Sequence, residues 1–119
     1  MQQAPLSKEQ RRTLRAYRSA LGEFKKLNPL MTTATIDTFL QVCLSPGKAV
    51  EEYADILGAP QSTTSRHLLD LSVSSRSKTK KGYNLLLRNT HPTNVKQVVY
   101  EPSADGRKLA LEVINHLPD

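Results

Sequence analysis

Tryptophan is absent from this 119-residue chain, cysteine occurs once, and aromatic residues make up only 5% of the sequence. The lone Cys43 cannot form a disulfide within the chain, which excludes a disulfide-stapled secreted domain and favours the reducing cytoplasm. No apolar run approaches the roughly 20 residues that span a membrane, and no secretory apolar region follows the N-terminus. We therefore expect a core filled mainly by aliphatic side chains and no membrane partner.

The residue types that build catalytic and metal sites are scattered along the chain. The three histidines, His67, His91 and His116, lie far apart, and Cys43 has no partner at the spacing of zinc ligands. There is neither a nucleophile elbow around a serine nor a glycine-rich phosphate loop. The sequence therefore predicts a protein that is not an enzyme and that needs no cofactor or metal ion.

Acidic residues are absent from Leu71 to Tyr100, with Asp70 directly before this span and Glu101 directly after it. Protein surfaces usually mix charges of both signs. A one-signed span in a chain of formal net charge +6 therefore indicates a polyanionic partner. The basic residues expected to contact phosphates in this span are Arg76, Lys78, Lys80, Lys81, Arg88 and Lys96.

Residues 54 to 68, ADILGAPQSTTSRHL, have the pattern of two short helices joined by a tight turn. Gly58 can adopt the left-handed conformation that ends a helix, and Pro60 suits the first turn of the next one. The second helix, from about Pro60 to Ser72, opens with small polar residues, as in a helix-turn-helix that enters the DNA major groove. The residues expected to contact base edges or nearby phosphates are Gln61, Ser62, Thr63, Ser65 and Arg66.

A β-hairpin is predicted directly after this helix. Residues 83 to 88 alternate with a period of two, and Val95 to Tyr100 is rich in β-branched and aromatic residues, so both segments are typical of strands. The polar, proline-containing segment from Asn89 to Asn94 predicts a long tip between them. A helix-turn-helix followed by a basic hairpin is the element order of a winged helix.

These segments resemble the MarR-like winged-helix regulators (the multiple antibiotic resistance regulator family). The matching motifs are ADILGAPQSTTSRHL, the pair GYNLLLRN and VKQVVY, and EPSADGRKLALEVI, which together span roughly Thr32 to Ile114. The resemblance implies a mainly α-helical fold with a small β-hairpin wing (α+β) and duplex DNA as partner. Where the family's wing tip usually has an acidic residue and an arginine, this chain has His91, Thr93 and Asn94, so Arg88 is the nearest arginine. The resemblance assigns no small-molecule effector site here.

The remaining sequence predicts three further helices. The first, about 7 to 27, starts with a capping box of Ser7 and Gln10 and has an apolar stripe of Leu14, Tyr17, Leu21 and Phe24. Its opposite face is basic, and such a charge run is usually a solvated face. The second helix, about 33 to 44, should turn Ile36, Phe39, Leu40 and Cys43 inward, and a short strand after it can join the wing sheet. The last, about 104 to 117, places Leu109, Val113, Ile114 and Leu117 on one side.

We interpret the chain as one winged-helix domain, residues 1–119, whose terminal helices form a homodimer; the alternative is that these helices only cover the monomer core. The expected function is sequence-specific binding of double-stranded DNA as a cytoplasmic, nucleoid-associated transcriptional regulator, most simply a repressor. One alternative is a plasmid or phage factor in replication or partition, which would bind tandem repeats. Another is a protein-interaction winged helix, against which the acid-free span argues.

Overall fold

The computed structural model describes residues 3–72 and 82–118. Its elements are α1 (Lys8–Leu27), α2 (Thr33–Leu44), α3 (Val50–Leu57), α4 (Gln61–Leu71), β1 (Leu86–His91), β2 (Asn94–Pro102) and α5 (Ala104–His116). The fold is mainly helical, with one antiparallel hairpin formed by β1 and β2, as the sequence predicts. Within the described ranges, no helix has both the length and the apolar character needed to cross a membrane.

Three helices, α1, α2 and α5, start after residues whose side chains satisfy free backbone N–H groups. The Ser7 hydroxyl accepts a hydrogen bond from the Gln10 N–H, and the Gln10 side chain accepts one from the Ser7 N–H, so the predicted capping box is present. Thr32 caps α2 and Ser103 caps α5 in the same way, each with its hydroxyl. The bounds of α1, α2 and α5 consequently agree with the sequence prediction to within one residue.

The core lies where α2, α3 and α4 meet the base of the hairpin, and α5 and the C-terminal half of α1 pack against it. Phe24 of α1 meets Phe39 of α2 edge to face, with ring centroids 5.8 Å apart. Most of the other buried side chains are aliphatic, as expected for a chain so poor in aromatic residues; the largest fully buried hydrophobic residues are Tyr53, Phe24, Phe39, Leu68, Leu71, Leu86 and Val42.

The inward face of α2 differs from the prediction at one position. Leu40 was expected to point inward but is 37% exposed, whereas Val42 is fully buried. The buried residues of α2 are Thr35, Thr38, Phe39 and Val42, which follow the i, i+3, i+4, i+7 spacing of one helix face. Two threonines on this face shift it away from the position that the apolar residues alone indicate.

The first strand of the hairpin starts later than the alternating pattern predicts. Leu85 and Leu86 are both buried, so residues 83 to 88 do not alternate, and that prediction is wrong. Asn84 has a φ of 60°, in the left-handed region, so the chain turns there before the strand begins. The Leu85 N–H donates to the Leu71 carbonyl, which fixes the base of the hairpin to the end of α4.

The predicted long tip of the hairpin is also wrong. Pairing continues through Thr90 opposite Val98 and resumes at His91 opposite Asn94, so only Pro92 and Thr93 form the turn. The polar residues expected in the tip are in the ladder because this end of the hairpin is exposed and needs no apolar face. Residues 95 to 97 bulge out of the ladder, since the register shifts between Thr90 and His91.

A buried carboxylate joins the first and last helices. Glu23 of α1 is only 7% exposed, and its side chain accepts hydrogen bonds from His116 Nε2 of α5 at 2.5 Å and from Lys26 Nζ at 3.0 Å. These two hydrogen bonds, of which the one from His116 has the larger effect, outweigh the effect of burial and lower the pKa of Glu23 from its ordinary value of 4.5. The link fixes the C-terminal end of α5 to α1.

Because the folded-state pKa of Glu23 is lowered, its contribution to stability is present above pH 4.5 and is lost as the pH falls below that value. We expect Glu23→Gln to remove this part of the acid sensitivity, so that the urea midpoint of the variant falls less between pH 5 and pH 3 than that of the wild type. Glu9→Gln, at an exposed position of the same helix, is the control and should keep the wild-type profile. Parallel profiles for Glu23→Gln and the wild type would contradict the assignment.

Candidate nucleic-acid interface

The turn between α3 and α4 has the geometry of a helix-turn-helix. Gly58 ends α3 with a φ of 66°, and its N–H reaches the carbonyls of Ala54 and Asp55. Pro60 is the N-cap of α4, and its carbonyl accepts a hydrogen bond from the buried Thr64 hydroxyl at 3.1 Å. The predicted end of α3 and the predicted start of α4 are confirmed, and Thr64 holds the first turn of α4 against the core.

The exposed face of α4 includes most of the predicted contact residues. Gln61, Ser62 and Arg66 are exposed, and Thr63 and Ser65 are half-buried. The core-facing residues of α4 are Thr64, Leu68 and Leu71. At 100° per residue, Ser62 and Arg66 lie on the side of the helix opposite to this buried face. Both side chains therefore point away from the body of the protein, where a partner can reach them.

His67 adds no charge to this face at neutral pH. Its ring is half-buried, and burial, followed by the nearby charge of Arg66, lowers its pKa from the ordinary value of 6.5. Arg66 is therefore the residue of α4 that is positively charged at neutral pH. Among the residues that the structure describes, no group of three or more histidine, cysteine, aspartate or glutamate side chains is arranged to hold a metal ion.

The two predicted phosphate contacts on the wing occupy different levels of the hairpin. Arg88 lies opposite Tyr100 in the ladder; its Nε donates to the Tyr100 hydroxyl at 3.3 Å, and its guanidinium stands 5.9 Å from the ring centre. This contact orients the arginine while leaving it exposed. Lys96 is exposed in the bulge of β2, near the tip, where its N–H donates to the Asn94 side chain.

Four of the predicted phosphate contacts belong to the segment between α4 and the wing. Arg76, Lys78, Lys80 and Lys81 lie outside the described residues. Their role therefore stays a prediction from the sequence.

Contacts that the sequence did not predict hold the wing against the helix-turn-helix. The Tyr53 hydroxyl of α3 donates to the Ser45 carbonyl at 2.7 Å and accepts from the Lys48 N–H at 3.3 Å, and the Tyr100 carbonyl of β2 lies 3.3 Å away. Burial raises the pKa of Tyr53, so the hydroxyl stays protonated. No local pattern signals these contacts, because Tyr53 and Tyr100 are 47 residues apart.

Two further links join the wing to the segment around α3. The backbone of Tyr100 pairs with that of Gly47 and Lys48, with N–O distances of 2.7 and 3.1 Å, so the segment after α2 joins the wing through an isolated bridge rather than through the short strand that the sequence predicts. The Gln97 side chain donates to Glu51 of α3 at 2.8 Å, across an open cleft of about 370 Å³. The wing and the helix-turn-helix are thus held in one fixed arrangement.

Comparison with known proteins shows that this chain shares its fold with several solved structures. No family model matches the sequence, and no curated protein matches it. A crystal structure of MarR superposes with a TM-score of 0.61 at 23% identity, covering 95% of this chain and 75% of that one. RV1404 from Mycobacterium tuberculosis gives 0.66 at 20% identity, with the same coverage. The transcriptional repressor CouR, bound to a 23-mer DNA duplex, gives 0.62 at 20% identity and covers 90% of this chain and 68% of that one.

The element order and these superpositions define a winged helix-turn-helix protein. More narrowly, the chain has the MarR-like form of this fold, with a helix before the helix-turn-helix unit and another after the wing. The resemblance identified from the sequence motifs is confirmed at the level of the fold.

Proposed function

We propose that the protein is a sequence-specific regulator of transcription that binds duplex DNA in the cytoplasm, most simply a repressor that occludes a promoter. The observation that supports this best is the exposed outer face of α4, formed by Ser62 and Arg66, beside a wing held rigidly to the same helix-turn-helix. CouR, a repressor bound to DNA, shares this fold. The role is one of binding rather than catalysis.

The proposed division of labour follows from exposure and chemistry. Gln61 and Arg66 have side chains that can form two hydrogen bonds with adenine and guanine, respectively. Ser62, Thr63 and Ser65 are short enough to bring the helix close to base edges or phosphates. Arg88 and Lys96 on the wing, with Arg76, Lys78, Lys80 and Lys81 from the sequence prediction, are proposed to neutralise phosphates, which position the protein without reading sequence.

Selection of bound duplexes from a random pool tests this function. Enrichment of one inverted repeat is the expected result, since a two-fold dimer presents two copies of α4 to the two halves of a palindrome. Enrichment of an iterated array would instead identify a replication or partition factor. If no sequence is enriched, the protein does not read DNA sequence and the proposal is wrong.

A dimer formed by the terminal helices is part of the proposal. α1 and α5 pack on each other, yet each leaves large apolar side chains in solvent: Leu14 and Tyr17 on α1 are 53% and 59% exposed, and Leu111 and Ile114 on α5 are 50% and 59% exposed. Large exposed apolar side chains on two neighbouring helices favour a protein interface. A second copy of the chain is the partner that also explains a palindromic site.

We expect Leu14→Glu or Ile114→Glu to convert the dimer to monomer, because each places a charge in the proposed interface without disturbing the monomer core. Leu44→Glu, at a position 77% exposed on α2, is the matched control and should leave the dimer intact. Light scattering measures the mass against the chain mass of 13.3 kDa. A wild-type protein of 13.3 kDa at micromolar concentration would exclude the proposed dimer.

A further inference from the structure

The first helix is one of two strongly basic regions of this chain. Seven basic and two acidic residues give α1 +5 of the chain's formal net charge of +6. The other basic region is the acid-free span from Leu71 to Tyr100, and the nine acidic residues outside α1 all lie beyond that span. A DNA-binding protein is expected to concentrate basic charge where it meets phosphates. The charge of α1 is a second concentration of basic residues, outside the interface described above.

The basic residues of α1 share one side of the helix, here named the basic arc. At 100° per residue they fall within an arc of about 140°. The centre of the arc lies opposite the buried residues Ala20 and Phe24, and all of its members are exposed. The basic arc consists of Lys8, Arg11, Arg12, Arg15, Arg18, Lys25 and Lys26.

The arrangement of the basic arc is unfavourable for an isolated helix. Arg11 and Arg15 are four residues apart, and Arg15 and Arg18 are three apart, so like charges face each other. Cations near the N-terminus, such as Lys8, also oppose the helix dipole. Among the described residues, Lys26 of the arc forms an ion pair with Glu23, and no arginine of the arc forms an ion pair. A polyanion along the arc would relieve this repulsion.

The chemistry of the arc favours phosphate as the anion. The members from Lys8 to Arg18 are four arginines and one lysine, and this part of α1 is exposed almost all round. A guanidinium forms two parallel hydrogen bonds with a phosphate and stays charged at any physiological pH. Arg11, Arg15 and Arg18 rise along the helix in steps of about 6 and 4.5 Å. A row of arginines one helical turn apart suits a repeating phosphate backbone.

The basic arc faces away from α4. α4 packs mainly on α2 and α3, α2 in turn contacts α5, and α1 packs mainly on α5. The arc lies on the side of α1 opposite to its buried face, and so points away from this stack of helices. The arc therefore does not face a DNA duplex that α4 and the wing hold.

We propose that the basic arc of α1 binds the phosphate backbone of a second DNA duplex, without regard to its sequence, so that the protein bridges two DNA segments. The proposal rests on the proposed function for the first segment only. The second contact is electrostatic, so it should weaken steeply with salt, by about 0.9 in the log–log slope for each phosphate neutralised.

A two-duplex capture experiment tests the bridge. A duplex with the selected site is immobilised and loaded with protein, and capture of a fluorescent duplex of unrelated sequence is measured at 0.1 M salt. The double variant Arg11→Gln/Arg15→Gln should capture at least about tenfold less of the second duplex, because two phosphate contacts are lost. Its affinity for the immobilised site should stay unchanged. Arg107→Gln/Lys108→Gln on α5 removes the same charge from exposed positions outside the arc and should capture like the wild type.

The outcomes separate this proposal from the proposed function. Normal binding to the site with no capture of a second duplex by the wild type would overturn the bridge and leave the regulator intact. Equal loss of capture in both double variants would also overturn it, since only net charge would then matter. Reduced affinity of the arc variant for a single long duplex would overturn the bridge as well, because it would place the arc on the flanks of the same DNA. Binding of the arc to vesicles of phosphatidylglycerol without capture of DNA would also overturn it. Absence of any selected site would instead count against the proposed function.

Discussion

Replacing Gly106 with alanine is expected to destabilise the fold severely, although alanine is the better helix former. Gly106 lies in the first turn of α5, and a Cβ placed there would meet the Leu85 carbonyl oxygen at 2.0 Å. The Leu85 backbone cannot retreat easily, because its carbonyl accepts from the Ser103 N–H at 2.9 Å and its N–H donates to Leu71. We expect the free energy of unfolding to fall by about 3 kcal/mol, the upper end of the cost of overpacking.

Gly22→Ala is the matched control for this prediction. Gly22 also lies within a helix, but a Cβ there meets no atom within 4 Å. The intrinsic preference for alanine should then prevail and raise the free energy of unfolding by about 0.8–1 kcal/mol. Urea denaturation of both variants measures the difference. Two substitutions of the same chemistry should thus act with opposite sign, and a stable Gly106→Ala protein would show that the contact of α5 with the wing base has been misplaced.

Arg66→Ala should weaken binding to the selected site by about 1–3 kcal/mol, roughly a five- to 150-fold loss, if the exposed guanidinium makes a bidentate base contact. The loss should be confined to one position in each half of the site, where all four bases should become nearly equivalent. Gln61→Ala should act in the same way at a different position. Fluorescence anisotropy with a panel of single-base variants of the site measures both effects.

The control for Arg66 is Arg107→Ala, which removes an exposed arginine from α5 and should leave affinity and base preference as they are. If Arg66→Ala weakens every sequence equally, then Arg66 binds a phosphate rather than a base. Wild-type affinity in both the Arg66 and the Gln61 variant would show that the outer face of α4 is not the reading surface.

Features governed by nearby residues could be predicted from the sequence. The capping box of Ser7 and Gln10, the left-handed Gly58 and the bounds of α4 each depend on side chains within a few positions, and the structure has them where the pattern indicates. The exposure of Arg66 followed equally well, because Leu68 and Leu71 fix which side of α4 is buried, while its contact with DNA stays a prediction.

Features that depend on distant partners could not be predicted. The alternation of residues 83 to 88 was wrong because Asn84 takes a left-handed φ, and Leu85 is held by the ends of α4 and α5 rather than by a strand neighbour. The link of Glu23 to His116 spans 93 residues, and local periodicity contains no information about such a pair. The concentration of charge on α1 was visible in the sequence, but the direction in which it faces required the packing of α1 on α5.

The hydrogen bonds of the Tyr53 hydroxyl restrict where insertions and deletions can occur in this fold. The hydroxyl lies at a junction of three segments, the end of α2, the start of α3 and the wing. The backbone N–H groups of Gly47, Lys48 and Ala49 each donate a hydrogen bond around it. One inserted residue in this stretch would shift the register of the backbone bridge to Tyr100 and displace the start of α3, with Tyr53, from its partners. The turn at Pro92 and Thr93 has no such ties to the core. In relatives of this protein, insertions and deletions should therefore accumulate at the wing tip and be absent between α2 and α3.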